Sequence, residues 1–235
     1  KELVRNGAAV YYGHQQAWGT IEDNAEHIRQ TIRQVLKENH CAKVNIIAHS
    51  KGGLDSRYLI THLHMEHQVA SLTTVSTPHR GSELINVLNR LPDGIYRLIS
   101  SWFARTFSKF GDGCPDCYHA SKQLAPAYCA HFNEITPDCP EVFYQSYASV
   151  MKHAWSDSLL SVPNLIMDVA GNTGNDGLVT EESAKWGVFQ GTFRNKYQRG
   201  ISHGDMIDLK REDYKGFDVI ETYVDIVRNL KDMGY

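Results

Sequence analysis

A serine flanked by small residues offers the clearest opportunity for chemistry in this sequence. Residues 48–52, Ala-His-Ser-Lys-Gly, fit the pattern G-x-S-x-G with alanine in the first position. That pattern forms a sharp turn from a strand into a helix and holds the serine exposed and strained. An apolar run precedes the turn, and apolar residues at helical spacing follow it. The pattern therefore predicts Ser50 as a nucleophile; the alternative is a serine in an ordinary β–α turn.

A nucleophilic serine needs a base and a group that orients the base, because its hydroxyl is a weak nucleophile at its ordinary pKa. Sites built on this turn place an acid and then a histidine in later loops. Asp176 lies in the glycine-rich loop 171–177, and His203 lies in the loop 200–205. We therefore predict Asp176 as the orienting acid and His203 as the base. Asp168 is the alternative acid, although it falls inside an apparent strand.

Lys51, the residue after the serine, is predicted to act through its backbone. At the start of a helix its N–H can stabilise the oxyanion that forms when Ser50 attacks a carbonyl group. The chemistry that these residue types allow is acyl transfer through an acyl-enzyme, which requires no redox or nucleotide cofactor.

Strands and helices alternate in the first third of the chain. Apolar runs at residues 7–12, 44–48 and 69–75 predict three strands. A capping box at Thr20 opens one helix between them, whose apolar face is Ala25, Ile28, Ile32, Val35 and Leu36. A second helix follows the serine turn, with apolar residues at Leu54, Tyr58, Leu59 and Leu63. This alternation predicts an α/β fold with a mostly parallel sheet and helices on both faces.

The second half of the chain returns to the same pattern. Residues 142–147 and 164–169 are sheet-like. A final helix is predicted from apolar residues at helical spacing, which are Val219, Ile220, Tyr223, Val224, Val227 and Leu230.

The segment between these halves interrupts the alternation. Within residues 95–107 the apolar positions follow i, i+3, i+4, i+7, i+8 and i+12, which predicts a strongly amphipathic helix. One interpretation is a helix that packs on the core. The other is a mobile lid whose apolar face covers a lipid-binding pocket. We therefore predict a single domain over residues 1–235 with a lid insertion at about residues 83–140.

Composition limits the classes of partner. The formal net charge is −3 over 235 residues, so no global field favours nucleic acid or an anionic membrane. No apolar run approaches the roughly 18 residues of a membrane span. Residues 1–7 also lack the apolar segment of a secretory signal. These features predict a soluble protein with neither a nucleic-acid partner nor a transmembrane segment.

Five cysteines leave the redox state open. Four of them, Cys114, Cys117, Cys129 and Cys139, have the spacing C-x2-C-x11-C-x9-C. This spacing is compatible with disulfides, which we favour, with free thiols or with a zinc site. Cys41 stands apart before an apolar run and is predicted to be a small buried hydrophobic residue.

The motifs together resemble the bacterial true lipases, the triacylglycerol lipases of the Pseudomonas and Burkholderia type and their Firmicutes relatives. The similarity lies in residues 44–57 (VNIIAHSKGGLDSR), 76–82 (STPHRGS), 175–179 (NDGLV) and 202–205 (SHGD), in the same order along almost the whole chain. It implies an α/β-hydrolase fold with a helical lid and a Ser50–Asp176–His203 triad. It also implies that residues 77–82 form a structural turn beside the pocket, so that His79 is not the base.

The resemblance departs from the family at the second oxyanion donor. In these lipases a strand and a His-Gly loop ahead of the segment matching residues 7–12 supply that N–H. The sequence has no counterpart of this loop before Gly7. Since the loss of one donor can cost roughly 10²–10³ in rate, weak or differently supported activity is one expectation.

The family's structural calcium site is matched only in part. Asp205, two residues after the predicted base, fits one calcium ligand, while Asp157 and Asp168 are both candidates for the second. A solvated or capping role for Asp205 is the alternative. The family's disulfide has no counterpart either, since Glu182 lies where a partner of Cys139 is expected, so Cys139 would pair within its own cluster.

These features predict a lipase that hydrolyses carboxylic esters of acylglycerols at a transient lipid–water interface. The alternatives are a short-chain carboxylesterase and a non-catalytic hydrolase-like scaffold. No cofactor is required for the chemistry, and a structural calcium ion is possible. The resemblance to the bacterial lipases also implies secretion.

Overall fold

Four parallel strands form the central sheet of the computed structural model, which describes residues 1–13, 16, 19–97, 101, 117–197, 199–210 and 214–235. The strands are β1 (Val44–His49), β2 (Val69–Val75), β3 (Phe143–Ser149) and β4 (Val188–Phe193), and each pairs with the next in sequence. Parallel neighbours need crossover connections, so their carboxyl ends share one edge of the sheet. The predicted strands at residues 44–48, 69–75 and 142–147 are confirmed.

Helices make the crossovers. The named helices are α1 (Glu2–Arg5), α2 (Ile21–Asn39), α3 (Gly52–His62), α4 (Glu83–Leu88), α5 (Cys117–Lys122), α6 (Pro126–Ile135), α7 (Ser161–Val169), α8 (Glu181–Ala184) and α9 (Val219–Asp232). None of the described helices has the length and apolarity to cross a membrane.

Helix α2 shows how the sequence selects its own boundaries. The Thr20 hydroxyl accepts a hydrogen bond from the Asp23 N–H at 3.1 Å, which confirms the predicted cap. The predicted apolar face is also confirmed, since α2 packs on α3 and the sheet. The buried core there is Ala25, Ile28, Ile32, Ala48, Leu59, Ile60, Met65, Val69, Leu72, Val142 and Tyr144.

Two predicted strands are wrong. Residues 7–12 form no strand; Tyr12 is 70% exposed, and the Tyr11 hydroxyl is 3.0 Å from the Asn39 side chain, so this run is not buried in a sheet. Residues 164–169 belong to helix α7. Pro163, Asn164 and Met167 face inward there, a spacing that fits a helix and not a strand.

The last helix is confirmed, with one misplaced residue. Helix α9 is capped by the Asp218 carboxylate, which accepts from the N–H groups of Ile220 and Glu221. It buries Val224 and Leu230 as predicted, whereas Ile220 in its first turn is 53% exposed. Most of the predicted helix at residues 95–107 lies outside the described residues, so the lid remains a prediction.

The cysteines behave differently from the predictions. Cys41 is exposed in the turn after α2, so its predicted burial is wrong. Cys129 and Cys139 are free thiols, which makes disulfide pairing of these two wrong. Cys129 is buried against Leu54 and Phe132, and burial raises the pKa of its thiol to about 12, so the thiol stays protonated. Cys114 lies outside the described residues.

Candidate active site

Ser50 occupies the turn between β1 and α3. Its φ of 54° lies in the left-handed region, which is uncommon for a residue with a side chain. Three hydrogen bonds fix this conformation: Ser50 N donates to Val75 O at 3.0 Å, and Ser50 O accepts from Thr77 Oγ1 at 2.7 Å and Gly53 N at 3.1 Å. The surrounding backbone therefore holds Ser50 in the strained turn that the sequence predicts.

A glycine lets helix α3 approach the end of β2. A Cβ atom on Gly53 would lie 2.3 Å from Thr77 Oγ1 and 2.9 Å from Thr74 Cγ2. Since Thr77 also bonds Ser50 O, a larger residue would push on the group that holds the serine turn. Small residues after the serine are needed here for contact with the sheet.

Asp176 and His203 form a buried pair. His203 Nδ1 donates to Asp176 Oδ2 at 2.8 Å, and His203 N donates to Asp176 O at 2.9 Å. Asp176 Oδ1 accepts from the backbone N–H groups of Leu178 at 3.0 Å and Val179 at 2.8 Å. Burial acts to raise the pKa of Asp176, but His203 and these N–H groups hold it below its ordinary value. The carboxylate therefore stays ionised beside the imidazole.

Two further serines belong to this network and were not anticipated from the sequence. Ser149 Oγ donates to Asp176 Oδ2 at 3.1 Å and lies 2.8 Å from Ser76 Oγ. Ser149 is the last residue of β3, and Ser76 directly follows β2. Polar residues at the carboxyl ends of parallel strands are a general signal for a site, and that signal was available in the sequence.

His49 brings the serine turn against the predicted base. Its ring centroid is 4.4 Å from that of His203. Burial and, to a lesser extent, the nearby His203 lower the pKa of His49 to about 3, so His49 stays neutral. Within the described part of the chain, no residue hydrogen-bonds to the Ser50 hydroxyl. The contact between the two rings places the residue before Ser50 directly against His203.

The side chain of Lys51 forms an ion pair with Asp55, and its backbone N–H is the group available at the site. Its ammonium is buried and lies 2.7 Å from Asp55 Oδ1, and Asn24 Nδ2 donates to the other oxygen of Asp55 at 2.9 Å. No described residue accepts a hydrogen bond from Lys51 N–H, at the first turn of the 11-residue helix α3. The chemical group that Lys51 can offer at the site is therefore its N–H.

The other candidate groups have different partners. Asp168, the alternative acid, lies on α7 and accepts from Asn175 Nδ2 at 3.0 Å. His79 is fully buried; its Nε2 is 3.0 Å from Thr74 Oγ1, and its ring stacks on Trp186. Both residues therefore have structural contacts that account for their positions.

Asp205, the predicted calcium ligand, lies beside Asp157 in a cluster of opposite charges. Lys210 Nζ is 2.6 Å from Asp157 Oδ1, and Arg199 is 3.0 Å from Asp205 Oδ1. Ser202 bridges the two acids, because its Oγ donates to Asp157 Oδ2 at 2.7 Å and its N–H to Asp205 Oδ2 at 2.8 Å. All four carboxylate oxygens already have donors, so these residues in this arrangement do not fit a calcium ion, which takes 6–8 oxygen ligands.

A second group of possible metal ligands lies elsewhere. Among the described residues, Glu66, His67 and Glu141 could place three ligand atoms within 4.8 Å of one another. They precede β2 and β3, at the amino ends of the strands, whereas Ser50, Asp176 and His203 follow strands at the carboxyl edge. This group is therefore not part of the candidate active site.

The parallel sheet, the strained serine turn and the buried Asp–His pair define the α/β-hydrolase class. The PGAP1-like alpha/beta domain family matches residues 14–132. Triacylglycerol lipase 2 of Saccharomyces cerevisiae is 30% identical over all of this chain and 72% of its own length. A triacylglycerol lipase of Pseudarthrobacter phenanthrenivorans is 32% identical over 58% of this chain and 46% of its own.

Solved structures agree on the fold. Staphylococcus hyicus lipase superposes with a TM-score of 0.69 at 16% identity, over 96% of this chain and 86% of its own. A metagenomic carboxyl esterase gives 0.68 at 20% identity, over 86% of this chain and 57% of its own. The chain belongs to the PGAP1-like α/β domain family and, within the α/β-hydrolases, to the triacylglycerol lipases. The predicted fold class and the predicted ester hydrolase are confirmed.

Proposed function

We propose that this protein is a lipase that hydrolyses acylglycerols through a triad of Ser50, His203 and Asp176. The observation that supports the triad most strongly is the buried hydrogen bond of 2.8 Å between His203 Nδ1 and Asp176 Oδ2. This pair lies at the same sheet edge as the strained turn of Ser50. The substrate class rests on the relatives named triacylglycerol lipases.

In the proposed mechanism His203 Nε2 removes the proton from Ser50 as the serine attacks the ester carbonyl. Asp176 fixes the imidazole with its proton on Nδ1 and stabilises the cation that forms. Lys51 N–H donates to the developing oxyanion, and such a donor is worth roughly 10²–10³ in rate. His203 then protonates the leaving alcohol, and water attacks the acyl-enzyme with His203 again as base.

Hydrolysis of an ester series tests this proposal. The full-length protein is given soluble p-nitrophenyl esters from acetate to palmitate and emulsified triolein. We expect turnover to rise toward long chains and emulsified substrate, and a fluorophosphonate to block it by labelling Ser50, as read by mass spectrometry. Turnover limited to short soluble esters would identify a carboxylesterase. The absence of Ser50-dependent turnover on every ester would contradict the proposal and favour the non-catalytic scaffold.

We also propose that no metal is required, because protein cations neutralise the acids beside His203. Lys210 and Arg199 pair with Asp157 and Asp205, and Ser202, the residue before His203, donates a hydrogen bond to each acid. The ion pairs thus fix the histidine loop without a bound ion. Secretion is a further proposal, which rests on the resemblance to bacterial lipases alone.

The metal proposal predicts a protein that is insensitive to chelation. We expect EDTA and added calcium to leave both the activity and the urea-unfolding midpoint unchanged.

Lys210→Met removes the cation that pairs with Asp157 and should lower the free energy of unfolding by about 1–3 kcal/mol. The loss is smaller than for a fully buried pair, because the Lys210 side chain is 21% exposed. Calcium should restore part of that loss. Lys231→Met on the exposed side of α9 is the control, and a wild type weakened by EDTA would refute the proposal.

A further inference from the structure

The outward face of helix α7 is apolar and open to solvent. Val162, Leu165 and Val169 are 62%, 55% and 81% exposed, and their spacing of i, i+3 and i+7 places them along one face. Trp155, at 78% exposure, lies in a 3-10 turn (Ala154–Ser156) that packs against the same helix. We call these four residues the α7 face. Surface helices normally carry polar and charged residues on this side.

No charged side chain interrupts the helical part of the α7 face, and Trp155 beside it stacks on the ring of His153 at a centroid distance of 4.5 Å. Residues 161–170 read Ser-Val-Pro-Asn-Leu-Ile-Met-Asp-Val-Ala, so Asp168 is the single ionisable residue in the helix and its cap. Asp168 accepts a hydrogen bond from Asn175 Nδ2 at 3.0 Å, on the side toward the acid loop. The exposed face therefore suits an uncharged, apolar partner.

Helix α7 is fixed to the loop of the proposed catalytic acid. Asn164 Nδ2 donates to Asn175 Oδ1 at 2.7 Å, and the same oxygen accepts from Gly177 N at 2.8 Å. Asn175 and Gly177 are the two neighbours of Asp176 in the chain. The inner residues of α7 are buried, with Met167 in a cluster that includes Leu88 and Tyr96. A partner that binds the α7 face is thus held at a fixed position relative to the proposed site.

We propose that the α7 face docks the protein on the surface of a neutral lipid aggregate. This inference rests on the proposed function, since acylglycerols of long chain length are present as apolar aggregates in water. An uncharged face with a tryptophan at its margin fits an interface of lipid and water, where one part of the indole is apolar and the N–H is wet. A protein partner fits less well, because four residues are far fewer than the roughly 20–30 per side of a standard protein interface.

Binding to lipid is tested separately from hydrolysis. The probe is triolein emulsified with phosphatidylcholine, and bound protein is measured by flotation in the Ser50→Ala background, so that no substrate is consumed. The test variant is Val162→Ser/Leu165→Gln/Val169→Ser. The matched control, Val4→Ser/Val188→Ser/Ile220→Gln, changes three residues that are 58%, 50% and 53% exposed elsewhere on the protein.

We expect the test variant to bind the emulsion at least 10-fold more weakly than the parent, and the control to bind like the parent. With Ser50 intact, the test variant should keep its rate on soluble p-nitrophenyl acetate within 2-fold and lose at least 10-fold on the emulsion. If the triple variant does not fold, Leu165→Gln alone replaces it, and we expect a smaller loss of emulsion binding.

Unchanged emulsion binding by a folded test variant would overturn the proposal. So would a parent dimer in the absence of lipid that the same substitutions dissociate, because the α7 face would then join two copies of the chain. Failure of the lipase proposal has a different signature: no ester is hydrolysed, while flotation still reports binding through the α7 face.

Discussion

Replacing Ser50 with alanine is expected to lower kcat on any ester substrate by roughly 10⁶-fold, the loss seen when the nucleophile of a serine hydrolase is removed. The protein should still fold, because the bonds that hold the turn come from the Ser50 backbone and not from its hydroxyl. Activity is measured by fatty-acid release on a long-chain ester, with folding checked by circular dichroism. Retention of more than about 1% of the wild-type rate would place the nucleophile elsewhere.

Ser50→Gly is the companion variant, because it separates the chemistry from the strain. Glycine adopts the φ of 54° found at Ser50 without the clash that a Cβ atom produces, a difference of about 1–2 kcal/mol. Both variants should be equally inactive, while Ser50→Gly should unfold at a higher urea concentration than Ser50→Ala. Equal stability of the two variants would show that the turn is not strained.

Local patterns in the sequence were sufficient where structure is set by neighbours in the chain. The cap of α2 requires only Thr20 and Asp23, and the serine turn requires only an apolar strand, small residues and a helix. The order serine, acid, histidine then predicts Asp176 and His203 as partners, and the structure brings these two residues together across 27 positions. These features are predictable because each depends on a short segment or on a fixed order of segments.

The wrong strand predictions lie where contacts with distant segments determine the secondary structure. Residues 7–12 have the composition of a strand but pair with no strand in the described part of the chain, which a single run of residues does not reveal. The sequence pattern of helix α7 resembles that of a strand because apolar residues occupy its exposed face as well as its buried face. An apolar outer face removes the polar positions that mark a helical period. This exposed apolar side of α7, which hides the helical period in the sequence, is also what makes the α7 face a candidate lipid-binding surface.

The sequence does not predict which distant residues pair with the acids of the site, even where the end of a strand, as at Ser149, signals that a polar residue belongs to it. Lys210 reaches Asp157 across 53 positions, and Ser149 reaches Asp176 across 27. Each contact depends on where the sheet edge and the loops meet in space. The resemblance to bacterial lipases makes Asp205 a possible calcium ligand, whereas the structure pairs that carboxylate with Arg199. Whether an acid binds a metal or a protein cation is decided by such distant residues.

Asp176→Asn is expected to lower kcat roughly 10⁴-fold, as in serine proteases whose triad acid is amidated. The asparagine oxygen can still accept from Leu178 N and Val179 N, which leaves the amide NH₂ facing His203 Nδ1. An NH₂ group donates, so Nδ1 must accept and the imidazole proton moves to Nε2, where it blocks uptake of the Ser50 proton. Asp168→Asn, the same change on α7, is the control and should stay within a few-fold of wild type; the reverse ranking would make Asp168 the acid.

Asp176→Asn also leads to one further expectation on the rate and one on stability. Adding Asp176→Asn to Ser50→Ala should cause almost no additional loss of kcat, because triad residues act as one unit and their effects do not add.

The pH dependence of stability tests the state of Asp176 independently of the rate. The pKa of Asp176 in the folded protein lies below its ordinary value of 3.8, so its ionisation stabilises the fold above about pH 4. That contribution disappears as the pH falls through the lowered pKa. The gap in unfolding free energy between wild type and Asp176→Asn should therefore narrow below pH 4, and a gap that widens there would mean that Asp176 is not held as a buried carboxylate by His203.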